Sequence, residues 1–72
     1  MIIYIDNPEF CRRFREYMKN SGLSREEFCR KTGMTETLLR ELEKDGELDI
    51  PYEVLKKICC LFSIRPQDLL DA

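Results

Sequence analysis

The sequence predicts an all-α domain, a compact bundle of five short helices with a short β-strand at its N-terminus. Three observations support this prediction. The 72 residues suffice for one small domain, apolar residues recur at helical spacing in successive segments, and helix start and stop signals alternate along the chain. We therefore divide the chain into an N-terminal extension, residues 1–7, and a helical domain, residues 8–72.

The first predicted element is the strand, and a helix follows it. The segment MIIYID is rich in β-branched and aromatic residues, which favour extended structure. Asn7 and Pro8 then supply a helix N-cap and a proline at the first helical position. The helix is expected to run from Pro8 to about Asn20, with an apolar face formed by Phe10, Cys11, Phe14, Tyr17 and Met18.

The second helix has a complete start signal in the segment GLSREEF, residues 22–28. Its first residue, Gly22, ends the first helix. Ser24 is the expected N-cap, and Glu27 lies three residues later, where it can make the reciprocal capping bond. Leu23 is placed to pack on Phe28.

A glycine turn separates the second helix from the third. Gly33 lacks a Cβ atom and so allows the left-handed conformation that ends the second helix. Thr35 is the expected cap of the third helix, and Met34 is placed to pack on Leu39. This helix is expected to end near Lys44, before Asp45-Gly46, with an inner face of Leu38, Leu39 and Leu42.

Two helices that begin with proline complete the bundle. Pro51 is expected to open the fourth helix and Pro66 the fifth. The side chains expected to point inward are Val54, Leu55, Ile58, Cys59, Leu61 and Phe62 in the fourth helix and Leu69 and Leu70 in the fifth.

The composition limits the classes of function. The net charge is −2, so any affinity for DNA must come from local charge. The stretch MIIYI is too short to span a membrane and lacks the basic start of a signal peptide, so we expect a cytoplasmic protein without a membrane partner. The chain has no histidine, no glycine-rich phosphate loop and no nucleophile beside a base, so we expect no enzyme and no catalytic residues.

The four cysteines, Cys11, Cys29, Cys59 and Cys60, do not follow a metal-site pattern. No C-x-x-C pair occurs, and no histidine is present to complete a mixed site. We expect small buried apolar residues in a reducing compartment, with no metal or cofactor.

Two short helices on either side of a glycine turn form the helix-turn-helix plan, in which the second helix lies in the major groove of DNA. The residue order resembles the lambda-repressor-like, or XRE, family over about residues 10–71. The resemblance rests on GLSREEFCRKTGMTETLLRELEKDG, a proline-led helix ending LKKICCLF, and SIRPQDLL. Gly33 matches the turn glycine, and Glu43 matches the family's E-x-G ending, which is one residue longer here.

The resemblance implies a DNA-binding regulator, usually dimeric, whose partner is double-stranded DNA. Thr35, Glu36, Thr37 and Arg40 fall where the family contacts base edges. Arg25 falls where the family often has a glutamine that contacts phosphate, and Lys44 lies near backbone phosphate at the other end of the site. If the chain is complete, as Met1 allows, it acts by occupancy, as small phage-type repressors of this family do.

The acidity of the third helix leaves an alternative open. Residues 35–46 contain four acidic residues and only Arg40 and Lys44 as bases. A carboxylate in the groove can accept a hydrogen bond from cytosine, and Arg40, one turn after Glu36, can pair with it in the free protein and turn to guanine on DNA. Otherwise the two side chains are a solvated surface pair. The alternative function is a degenerate helix-turn-helix module whose acidic third helix binds a protein partner.

The charge distribution also predicts a homodimer. The first two helices are net positive, but such a site binds DNA weakly as a monomer and needs a second half-site. The stretch MIIYI offers an edge that can pair with its copy across a two-fold axis, or else it covers the base of the bundle. The turn at Leu69 and Leu70 is the alternative dimer contact.

Overall fold

The structure is a helical bundle with a two-stranded antiparallel sheet. The computed structural model describes residues 1–44 and 46–71, and within them no helix is both long and apolar enough to cross a membrane. The five predicted helices and the N-terminal strand are confirmed. In chain order the elements are β1 (Ile2–Ile5), α1 (Pro8–Ser21), α2 (Arg25–Thr32), α3 (Glu36–Leu42), β2 (Leu48–Pro51), α4 (Tyr52–Phe62) and α5 (Gln67–Leu70).

Polar side chains cap the first three helices where the sequence predicts them. The side chains of Asn7, Ser24 and Thr35 accept hydrogen bonds from backbone N–H groups in the first turns of α1, α2 and α3, at 3.0–3.1 Å. The Glu27 carboxylate accepts a hydrogen bond from the Ser24 hydroxyl at 3.3 Å, rather than from the backbone N–H of the predicted reciprocal bond. Each cap satisfies a donor that the helix itself leaves without a partner.

One core joins all seven elements. The Phe14 ring meets the Phe28 ring edge-on with centroids 5.5 Å apart, and Phe62 stacks on Phe28 at 5.8 Å, so aromatic contacts tie α1, α2 and α4 together. The side chains predicted to point inward are buried or half-buried. The largest fully buried hydrophobic side chains are Phe10, Phe14, Phe28, Leu39, Leu42, Ile50, Leu55, Ile58 and Leu69.

The second strand was not predicted from the sequence. β1 pairs with β2 in antiparallel register, with Ile3 opposite Ile50 and Ile5 opposite Leu48. Alternate side chains of β2 are buried, as expected for a strand with one face on a core. The inner side of β1 thus lies against the bundle.

Several predicted boundaries shift by a residue or two. α3 ends at Leu42 rather than near Lys44, and α4 begins at Tyr52 because Pro51 still belongs to β2. Asp45, which the sequence analysis places with Gly46 after α3, lies outside the described residues, as does Ala72 at the end of the predicted helical domain.

The cysteines are free thiols in different environments. Cys11 and Cys59 are buried, Cys29 is half-buried and Cys60 is exposed, so the expectation of burial is wrong for Cys60. Burial in the apolar core raises the pKa of the Cys59 thiol to about 11. Among the described residues, no group of three cysteine, aspartate or glutamate side chains is placed to hold a metal ion.

Candidate nucleic-acid interface

The turn between α2 and α3 is fixed by one glycine and one buried threonine. Gly33 ends α2 with a φ of 75°, a left-handed conformation that side chains with a Cβ atom adopt at a cost. The Thr32 hydroxyl donates to the Phe28 carbonyl at 2.8 Å and accepts from the backbone N–H of Met34 at 3.3 Å. Thr32 is fully buried, and the sequence analysis did not identify it. The turn therefore holds the two helices in a defined relative orientation.

The start of α3 presents the residues predicted to contact base edges. Leu39 and Leu42 are buried and anchor the helix on the core. Their burial leaves the opposite side of α3, with Thr37 and Arg40, in solvent. Thr35 and Glu36 are exposed at the start of the helix and Lys44 in the turn after it, so all the side chains predicted to reach DNA from this part of the chain are exposed: Thr35, Glu36, Thr37, Arg40 and Lys44.

Arg25 joins the beginning of α2 to both ends of α3. Its guanidinium donates to the Glu36 carboxylate from Nε at 3.2 Å and from a terminal nitrogen at 3.0 Å. Its other terminal nitrogen contacts the Glu43 carboxylate. These hydrogen bonds, first to Glu36 and then to Glu43, raise the pKa of Arg25. The residue predicted to contact phosphate is thus already paired with two carboxylates.

The predicted pair of Glu36 with Arg40 is wrong for this structure. One carboxylate oxygen of Glu36 accepts from Arg25, and the other accepts from the Cys29 thiol with sulfur and oxygen 3.8 Å apart. Burial, and next the negative charge of Glu36, raise the pKa of Cys29, so the thiol stays protonated and able to donate. Arg40 is exposed and makes no ion pair with another described residue. Arg40 is therefore available to a ligand.

The arginines of α1 form ion pairs and hydrogen bonds within the protein. Arg12 forms an ion pair with Glu9 one turn away. Arg13 donates to the carbonyls of Asp68 and Asp71 at 3.0 and 2.9 Å and so caps the end of α5. The Arg13 guanidinium is thus engaged within the protein, whereas the Arg12 side chain stays largely exposed beside Glu9.

Glu43 has a structural role that the sequence analysis did not assign. Its carbonyl accepts from Arg15 at 3.3 Å while its carboxylate contacts Arg25, so the end of α3 is bound to both α1 and α2. The sequence signal for this role was an acidic residue at the end of a helix predicted to face DNA. A carboxylate at that position repels phosphate unless a cation of the same protein pairs with it, as Arg25 does here.

The comparison with protein families agrees with this geometry. A family model for the Cro/C1-type helix-turn-helix DNA-binding domain matches residues 13–72, which covers α2, the turn, α3 and the two last helices. Neither a curated protein nor a solved structure is significantly similar to the chain.

Proposed function

The chain belongs to the Cro/C1-type helix-turn-helix DNA-binding domain family, and from this premise we propose that it is a sequence-specific transcriptional regulator. It binds double-stranded DNA as a dimer, with α3 of each copy in the major groove, and acts as a phage-type repressor by occupying its site. The observation that carries the proposal is the exposed start of α3, held by a capped helix and a buried turn.

The residues on α3 have distinct roles in this proposal. Arg40, which lacks an intramolecular ion pair among the described residues, donates to the N7 and O6 atoms of guanine. Glu36 accepts from the amino group of cytosine. Thr35 and Thr37 contact neighbouring base edges through their hydroxyl and methyl groups, and Lys44 contacts phosphate.

Arg25 has a double role. In the free chain it restrains the Glu36 carboxylate through two hydrogen bonds. Because each residue of this contact is about half exposed, the contact is solvent-screened and can rearrange at modest cost. On DNA, Arg25 lies at the first residue of α2, where helix-turn-helix proteins approach phosphate, and it keeps Glu36 directed at the base edge.

The local charge explains why two copies are needed. Arg25 pairs with the carboxylates of Glu36 and Glu43, so these three side chains together carry a net negative charge. Arg40 and Lys44 supply the compensating positive charges. Few phosphate contacts mean low affinity for a single half-site. Two half-sites bound together recover that affinity.

A selection from a random duplex library at low and moderate salt tests the proposal. We expect two related half-sites about one helical turn apart, with guanine or cytosine at fixed places. In an Arg40→Ala variant the guanine preference should disappear while the rest of the site persists. Failure to enrich any sequence at either salt would contradict the proposal.

One observation favours a second function, a protein-interaction module. The net charge is −2, and residues 36–44 carry three acidic side chains against Arg40 and Lys44, so α3 has an acidic surface. A basic protein partner would fit such a surface. Glu36→Gln separates the two functions, since a DNA reader changes its base preference whereas a docking helix loses its partner.

As a DNA-binding regulator, the protein works in the compartment that holds the DNA, in line with the cytoplasmic expectation.

A further inference from the structure

The outer edge of β1 is free to pair with another strand. Within the described residues, β2 is the one strand beside β1. In an antiparallel ladder, successive residues point their backbone groups alternately toward the partner strand and away from it. The carbonyl of Met1 accepts from the backbone N–H of Tyr52 at 2.8 Å, so the backbone N–H and C=O groups of the odd-numbered residues of β1 point toward β2. The N–H and C=O groups of Ile2 and Tyr4 therefore point to the free edge.

The same strand carries exposed hydrophobic side chains. Met1, Ile2 and Tyr4 keep 83%, 60% and 57% of their surface in solvent, and they are the large hydrophobic residues most exposed in the described part of the chain. Natural proteins usually protect a free strand edge with charged residues or proline. β1 has the sequence IIYI and carries neither.

We propose that β1 pairs with β1 of a second copy across a two-fold axis and forms a four-stranded antiparallel sheet. This surface is the contact of the dimer proposed above, and the inference rests on that dimer while using none of the DNA-reading residues. In the register that fits best, Ile2 lies opposite Tyr4 of the second copy. All outward backbone groups of Ile2 and Tyr4 then find partners in both copies, because each hydrogen-bonded pair exchanges two N–H···O bonds.

The side chains and charges suit this register. It places Ile2 beside Tyr4 of the second copy on the outer face, and β-branched and aromatic residues form favourable cross-strand pairs. Asp49, the neighbour of Tyr4 on β2, stays at least three strand spacings from its copy, about 14 Å, which exceeds the screening length at moderate salt. A shift by two residues would instead place Asp6 opposite Ile2 of the second copy.

The small size of the contact predicts that the dimer forms on DNA. A strand of four residues is about 14 Å long, and it buries far less than the roughly 800 Å² per partner of a stable interface. We therefore expect a monomer in dilute solution. Two copies on adjacent half-sites are held at high effective concentration, where a weak contact suffices.

Ile2→Pro is the sharpest test, because proline removes the N–H that points to the free edge and none that bonds to β2. Ile2→Val is the matched control, since it keeps the N–H group and the β-branched shape. Each variant is titrated onto a duplex from the library selection with both half-sites and onto the same duplex with one half-site scrambled. Sedimentation velocity gives the number of bound copies.

We expect Ile2→Pro to bind the single half-site like the wild type and to lose cooperativity on the double site by about 10- to 100-fold, from the two missing interfacial hydrogen bonds. Ile2→Val should behave like the wild type. Retained cooperativity in Ile2→Pro would overturn the β1 contact while leaving DNA binding intact. Circular dichroism confirms folding, and Ile2→Lys, which keeps every backbone donor but places a charge beside Tyr4 of the second copy, should lose cooperativity too.

If no duplex is bound at all, the proposed function fails, and the contact is tested on the free protein. Sedimentation equilibrium over rising concentration should then show self-association in the wild type that is weaker in Ile2→Pro. A wild-type chain that stays monomeric at every concentration, without DNA binding, would overturn the contact as well.

Discussion

Thr32→Val isolates the hydrogen bonds that fix the turn between α2 and α3. Valine has nearly the shape of threonine but no hydroxyl, so the substitution leaves the packing in place. The Thr32 hydroxyl bonds to the carbonyl of Phe28 and to the N–H of Met34, and its side chain is fully buried. In the variant, the Met34 N–H keeps no described partner in a buried position.

We expect the variant to be less stable by about 1–2 kcal/mol. A buried donor without a partner costs about 1–3 kcal/mol, and the 3.3 Å length of the bond from Met34 favours the lower part of that range. The Phe28 carbonyl loses less, because it still accepts the helical bond from the Thr32 N–H. For a domain of this size, the midpoint of thermal unfolding should fall by about 4–16 °C.

Thermal unfolding followed by far-UV circular dichroism measures this effect. Thr37→Val is the matched control, since Thr37 is exposed on α3 and the same change there should leave the melting temperature unaltered. At a temperature where the variant and the wild type are both folded, DNA affinity should fall in Thr32→Val, because the turn orients α3; Thr37→Val serves as a control for stability alone. A Thr32→Val protein that melts with the wild type would refute the argument that this buried hydroxyl secures the turn.

Three further predictions concern the turn, the interface charge and the thiols. Gly33→Ala and Gly22→Ala should each lower the free energy of unfolding by about 1 kcal/mol, because both residues have φ near +70° and an added Cβ meets no close neighbour. In binding titrations of the folded variants, only Gly33→Ala is expected to lose DNA affinity, because Gly33 lies in the turn before α3. Glu43→Gln should tighten DNA binding several-fold at low salt by removing a negative charge beside Arg25, and weaker binding would show that the Glu43 contact matters more for shape than for charge. The folded-state pKa of Cys59 is raised to about 11. The buried neutral thiol should therefore contribute its full stabilisation below about pH 9, and this stabilisation should be lost as pH rises toward 11. Urea unfolding at several pH values measures this loss of stability, and in Cys59→Ala the loss should be smaller. At neutral pH the exposed Cys60 should react first with a disulfide reagent, whereas rapid reaction of Cys59 would contradict its burial.

Local signals predicted the helices well because those signals are short-range. Asn7, Ser24 and Thr35 cap their helices through atoms two or three residues away, and Gly33 turns the chain by its own φ angle. The second strand escaped prediction because its stability comes from β1, more than forty residues earlier in the chain. LDIP is too short and too acidic to indicate a strand without that partner.

The exposure of the candidate site's side chains was predictable from the sequence, whereas the contacts among them were not. The exposure of Thr37 and Arg40 follows from burial of Leu39 and Leu42 on the opposite face, and Thr35 and Glu36 are exposed because they begin the helix. The partner of Glu36, however, was expected at i+4 on the same helix and lies on α2 instead. Helical spacing places residues within one helix, whereas the approach of α2 to α3 depends on the turn held by Thr32. The pairing of Arg25 is therefore a property of the tertiary structure.

The acidity of α3 has a physical explanation in these contacts. Two of its carboxylates, Glu36 and Glu43, are bound to one cation on α2, so part of the negative charge that seems to oppose DNA binding is neutralised within the protein. Glu43 also keeps its carbonyl on Arg15, which makes the end of α3 a junction of three helices. The acidic residues thus stabilise the orientation of the helix, and Arg40 and Lys44 remain exposed beside it. In the proposed function, this pairing lowers the non-specific attraction to phosphate and so raises the share of the binding free energy that depends on base identity.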